Sequence, residues 1–248
     1  CRAGNKFQSR FVISDKDILF IVALPRKFPE PQAFFMTTLL NPKVSQLLDE
    51  LFLAAAAADA PIMARLQALA PAERDDLLRD YRRLYGAAKD AYLAVSREVG
   101  VFLYTQARAA AARSIVEFGT SFGLSTIYLA AALRDNGGGR LISTELDPDK
   151  AARAQANLER AGLADLVEIR VGDALDSLRE LPDGIDLLYL DGAKTLYREV
   201  LERCEPRLRA GAVVVADNID MVALVAPYTT YVREPTNNYL SSRIVLND

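Results

Sequence analysis

From Arg113 onward, apolar runs of five to seven residues alternate with helical stretches, and no other feature of the chain restricts its fold as strongly. A strand that is to be paired in parallel needs a crossover long enough to return to the same edge of the sheet. The runs are Ser114–Phe118, Arg140–Glu145, Leu166–Val171, Ile185–Asp191 and Gly211–Asp217, and the helices between them should start near Gly123, Pro148, Ala174 and Lys194. This pattern predicts a doubly wound, mostly parallel α/β sheet over residues 114–248. Sheets of this kind bind ligands outside the carboxyl ends of their strands, so the residues closing each run are the informative ones.

The preceding part reads differently. Across 36–113 the period is helical: Val44, Leu47, Leu48, Leu51 and Phe52 share one face, and Leu77, Leu78, Tyr81, Leu84 and Tyr85 share another. Pro61 and Pro71 stand where helices would begin. Two or three helices and no site are expected in this N-terminal helical region. Residues 1–35, broken by Pro25, Pro29 and Pro31 ahead of Met36, read as an irregular, non-native extension with no catalytic role.

Composition excludes several functions. With 30 basic and 33 acidic residues well mixed and a formal net charge of −3, no basic face points to nucleic acid, and no apolar run is long enough for a membrane span. A small molecule is the expected partner. The two cysteines, Cys1 and Cys204, cannot make a disulfide framework and fit a reducing, cytoplasmic setting, with Cys204 read as a packing residue. There is no histidine, so any general base must be Lys, Asp, Glu or Tyr.

The first run ends in Glu117-Phe118-Gly119-Thr120-Ser121-Phe122-Gly123-Leu124-Ser125, where Gly119 and Gly123 permit a tight turn and a close approach of backbone to a ligand. A dinucleotide loop would carry a third glycine, which is missing, so an NAD(P)-dependent oxidoreductase is disfavoured. The second run closes on Glu145, placed to accept both hydrogen bonds of a ribose diol. Asp147, in Asp147-Pro148-Asp149, reads as a helix cap. Asp173, before Ala174, could face an adenine amino group or cap the next helix.

The fourth and fifth runs end in Asp191-Gly192-Ala193-Lys194 and Asp217-Asn218. As neighbours in a doubly wound sheet they would bring Asp191, Asp217 and Asn218 together, three oxygen donors suited to Mg²⁺ or a similar hard cation. The alternative is that the acids cap helices and Asn218 turns the chain. Lys194, beside such a cation, is the candidate base for a hydroxyl proton, with Asp191 as its catalytic partner.

Taken together, Glu117-x-Gly119, Glu145, Asp191-x-x-Lys194 and Asp217-Asn218 resemble the metal-dependent O-methyltransferases typified by the catechol and caffeoyl-CoA enzymes, over roughly Val99–Asn218. The resemblance implies a Rossmann-like fold and S-adenosylmethionine as cofactor. It also implies a hydroxylated aromatic acceptor and the metal. By it, Glu117, Gly119, Ser121 and Ser125 would line the methionine side, Glu145 would hold the ribose, Asp173 and Ala174 would border the adenine, and Asp191 would count among the cofactor residues. Gly192 and Ala193 are small where some relatives carry larger side chains, which would open that wall. A non-catalytic cofactor-binding protein is the remaining alternative. Tyr239–Asp248 reads as a strand opening a hairpin, and since relatives continue with one more antiparallel strand, an exposed sheet edge and a homodimer are expected.

Overall fold

The computed structural model describes residues 37–246. The expectation for 1–35 lies outside them. Five strands form one all-parallel sheet in the order β3-β2-β1-β4-β5: β1 (Ser114–Phe118), β2 (Arg140–Glu145), β3 (Val167–Val171), β4 (Ile185–Leu190) and β5 (Leu208–Ala216). The chain winds outward from β1 to β3, then crosses back to β4 and β5, so the switch point lies between β1 and β4. Among the described residues no helix is long and apolar enough to cross a membrane.

Helices α1 (Pro42–Ala68), α4 (Arg97–Ala109), α5 (Leu124–Asp135) and α6 (Pro148–Ala161) pack on the face that carries Ile115, Leu141 and Leu187. Helices α8 (Tyr197–Cys204) and α9 (Val222–Arg233), with the single turn α7 (Ala174–Ser177), cover Val116, Ile142 and Leu188 on the other. Burial on both faces is why the strand runs are continuously apolar. Between α4 and α5 the contact is so close that a Cβ on Gly100 would fall 2.4 Å from the Tyr128 ring. Cys204 is buried in α8, where burial pushes its thiol up to about 12, so it packs and does not react.

Several expectations need correction. Pro61 does not start a helix but lies inside α1, which runs on through it. The carbonyl of Ala57 that loses its donor belongs to an exposed residue, where water can satisfy it, and the Ala54–Ala58 run sustains the helix. The N-terminal region holds four helices, with α2 (Pro71–Arg79) and α3 (Tyr81–Ala87) completing it. Leu166 belongs to a 3₁₀ turn, Asp191 and Asp217 fall just past their strands, and Lys194 opens a 3₁₀ turn ahead of α8. β5 begins at Leu208, but its pairing jumps from Ile185↔Leu208 to Leu187↔Val213, and Gly211 at φ +76° absorbs the bulge. The strand expected from Tyr239 is not formed over 239–246. Those residues make no ladder with β5; Tyr239 instead donates its hydroxyl to Glu205 Oε1 at 2.8 Å, anchoring the segment by a side chain.

Candidate functional site

At the switch point the ends of β1 and β4 meet almost without clearance. Asp191 N–H donates to Phe118 O at 2.8 Å. A Cβ on Gly119 would lie 2.8 Å from Gly192 N and 2.9 Å from Asp191 O, and Gly119 has φ +107°, so both space and conformation demand glycine. The loop then turns back on β2: Thr120 N–H donates to Thr144 O at 3.0 Å, and Ser121, at φ +47°, donates its N–H to Glu145 Oε2 at 2.7 Å. Gly123, at φ +88°, begins α5 and packs against Ala154.

These turns leave a cavity along the carboxyl edge of the sheet. Of the residues singled out from sequence, Gly119, Ser121, Ser125, Glu145, Asp173, Ala174 and Asp191 line it. Glu145 accepts from Ser121 N–H and, at 2.9 Å, from Asp147 N–H. Each oxygen keeps a free lone pair, so a diol could still be bound. Burial raises its carboxyl from the ordinary value. Asp147 caps α6 through the N–H groups of Asp149 and Lys150.

Five residues, Glu117, Gly123, Lys194, Asp217 and Asn218, stand elsewhere. Glu117 lies under the floor, fully buried, and not on the cavity wall. Its carboxylate accepts from Ser125 (2.6 Å), Thr126 (2.7 Å) and Ser143 (2.6 Å), and the Thr120 hydroxyl abuts that of Ser143 at 2.6 Å. Burial pushes it up to about 7, against the pull of those hydroxyls. It reaches the cavity through Ser125 and, by way of Ser143, through Thr120. Gly123 serves the turn. Asp217 and Asn218 open instead on a wide cleft beside β5.

Asp191 and Asp217 follow paired strands, with Asp217 N–H donating to Leu190 O at 3.0 Å. Burial raises the Asp191 carboxyl, Lys194 opposes this, and Asp217 adds to it. Lys194 Nζ donates to Asp191 Oδ1 at 2.7 Å in a largely buried ion pair. Asp217 accepts from its neighbour Asn218 N–H at 2.7 Å and from the Tyr189 hydroxyl at 3.4 Å, and Asn218 sits at φ +52°. Among the described residues no three acidic, His or Cys side chains converge, and the donor set expected from sequence has only two carboxylates and one amide. By chemistry such donors would suit a hard divalent cation, since all are oxygens and one lysine leaves the two acids a net negative charge, but Asp191 lines one cavity and Asp217 and Asn218 another.

Sequence reasoning missed the contribution of the N-terminal region, from which no site was expected. Tyr81 and Tyr85 of α3 and the strap Tyr92–Val95 line the cavity, as does Lys150. The strap is fixed from three sides. Tyr92 N–H donates to Asp59 (2.6 Å), Ser121 Oγ to Tyr92 O (2.6 Å) and Lys150 Nζ to Ala91 O (2.7 Å). The available signal was an aromatic pair four residues apart, Tyr81 and Tyr85, on an otherwise polar stretch.

Residues 116–219 match a family described as a methyltransferase domain. Over 151 residues the chain is 40% identical to a catechol O-methyltransferase of Niastella koreensis, covering 59% of this chain and 67% of that protein. Over 134 residues it is 41% identical to a catechol O-methyltransferase of Mycobacterium tuberculosis, covering 54% and 60%. The chain thus spans about two thirds or less of the length of these curated relatives. The solved O-methyltransferase of Bacillus cereus in complex with SAH is similar with a TM-score of 0.54 at 28% identity, covering 73% of this chain and 87% of that one.

Proposed function

Since the chain belongs to the methyltransferase family that includes the catechol O-methyltransferases, we propose that it moves the methyl group of S-adenosylmethionine to a hydroxyl of a small catechol-like or phenolic acceptor, assisted by a divalent metal. The observation that carries this reading is the cavity at the β1/β4 switch point, with Glu145 at one strand end and Asp191 at another. Methyl transfer is an in-line displacement: the acceptor oxygen forms a bond to the methyl carbon, the sulfur–methyl bond breaks, and S-adenosylhomocysteine leaves.

The protein's tasks are to hold the cofactor, align the acceptor and remove one proton. Glu145 offers lone pairs to the ribose diol, and Gly119 lets the backbone come close to the methionine side. Glu117 orients the Ser125 hydroxyl from below. Asp191, Asp217 and Asn218 would hold Mg²⁺, which when bound acidifies and fixes the acceptor hydroxyls. Lys194 Nζ, beside Asp191, would in its neutral form receive the acceptor's proton.

Isothermal titration with S-adenosylhomocysteine and a radiolabelled methyl-transfer assay on catechols test the reading. Expected are cofactor binding without metal, and turnover that EDTA removes and Mg²⁺ restores. Absence of cofactor binding overturns the assignment, and EDTA-insensitive turnover overturns the metal's part in it.

A further inference from the structure

Helix α3 lies outside the sheet, yet two of its side chains, Tyr81 and Tyr85, stand in the wall of the cavity that the strand ends build. Being four residues apart, they share one face. Tyr81 donates its hydroxyl to Asp173 Oδ2 at 3.0 Å, and Arg82 reaches the same oxygen at 3.0 Å. Asp173 also caps α7 through Leu175 N–H at 3.0 Å. Burial alone would raise its carboxyl, but these three donors outweigh that and hold it below the ordinary value. The carboxylate considered for an adenine amino group is therefore the anchor that ties α3 to the end of β3.

Tyr85 is the other contact. Half-buried, it lines the cavity, and its hydroxyl makes no hydrogen bond with another described residue; burial first, then the carboxylates of Asp191 and Glu145, raise its phenol from the ordinary value. A hydroxyl on a cavity wall with no protein partner is free to bond a ligand that enters. Glu145 and Asp191 line the same cavity, so a ligand that spans it and carries acceptors could meet the phenol.

We propose that α3 is the roof of the cofactor cavity and that Tyr85 is a cofactor-binding residue, its hydroxyl donating to the part of the ligand that lies between Glu145 and Asp191, while Tyr81 and Asp173 hold the roof in place. This rests on the S-adenosylmethionine reading above. It separates the chain's helical region from a purely structural role and makes it part of the site.

The test compares wild type, Tyr85→Phe and Tyr104→Phe, using S-adenosylhomocysteine as the probe. Tyr104 donates to Asp135 at 2.6 Å away from the cavity and serves as the control. Tyr85→Phe should bind about 5- to 10-fold more weakly, the worth of one hydrogen bond. Without ligand it should be no less stable than wild type, because it removes a hydroxyl with no partner. A merely structural tyrosine would lose stability first, which is the result expected of Tyr104→Phe with affinity unchanged. Ligand should also slow amide exchange across Tyr81–Ala87. Wild-type binding together with Tyr85→Phe affinity within twofold of it, or with α3 exchange unaltered, overturns this inference alone. Failure of the wild type to bind overturns the cofactor reading and this inference with it.

Discussion

Replacing Glu117 with Gln should change how stability depends on pH more than it changes stability at low pH. In the folded protein the Glu117 carboxyl is pushed up to about 7 from a reference of 4.5, chiefly by burial. A raised carboxyl means that the folded state holds its proton where the unfolded chain has lost it. Below the unfolded value both states are protonated and nothing is lost. As pH rises through about 7, stability falls and the loss becomes complete. The shift corresponds to about 3 kcal/mol. Glutamine copies the neutral acid, offering one acceptor oxygen and donors to hydroxyls that can rotate to receive them. Variant and wild type should therefore agree within about 1 kcal/mol near pH 4.5. They should diverge until the variant is about 3 kcal/mol more stable at pH 8.5, some 6–12 °C in melting temperature at 2–4 °C per kcal/mol for a domain of this size. Urea unfolding at half-unit steps from pH 4.5 to 8.5, without cofactor, reads the difference directly, because other titrating groups are common to both proteins. Parallel curves would refute the argument: the hydroxyls of Ser125, Thr126 and Ser143 would then be keeping the carboxylate ionised throughout.

Gly119→Ala should destabilise the fold by about 1–3 kcal/mol through its left-handed conformation alone. It should also weaken S-adenosylhomocysteine binding at least tenfold, because the added carbon pushes the ends of β1 and β4 apart; titration and thermal melting check both. Asp191→Ala should abolish Mg²⁺-dependent turnover while keeping much of the cofactor affinity, and unchanged turnover would remove Asp191 from the metal site. Lys194→Ala should lower kcat by about 10²-fold or more with little change in KM, the scale of a lost general base; a wild-type rate dismisses it.

Much of the sheet was legible because each strand is a continuous apolar run with a hard polar boundary. Arg113 precedes β1 and Glu145 closes β2, so both strands fall where the sequence puts them. β5 was less legible, since its start depends on a bulge at Gly211 set by pairing with β4. The strand-end acids were legible as residues but not in the direction they face. Pairing brings Asp217 beside Asp191, yet the two open on different cavities. Glu117 could not be told from a wall residue, because alternation along β1 decides only that it shares a face with Ile115, and the depth of α5 above it is a tertiary fact. Tyr85 was read as ordinary helix packing for the same reason: nothing local indicates that α3 will dock on Asp173, some ninety residues away.

The 2.8–2.9 Å clearance at Gly119 also divides the cavity into a part that can be varied and a part that cannot. The two central strand ends are locked together like the halves of a closed hinge, and neither can be re-aimed without moving the other. On the opposite side a side chain added at Gly86, in α3, would meet nothing within 4 Å, whereas Gly172 next to Asp173 has the space but, at φ +121°, would strain any side chain. Room for change is therefore concentrated in the helix that covers the site, where Gly86 also offers a place for a spectroscopic label that would report the position of α3 while leaving the strand ends untouched.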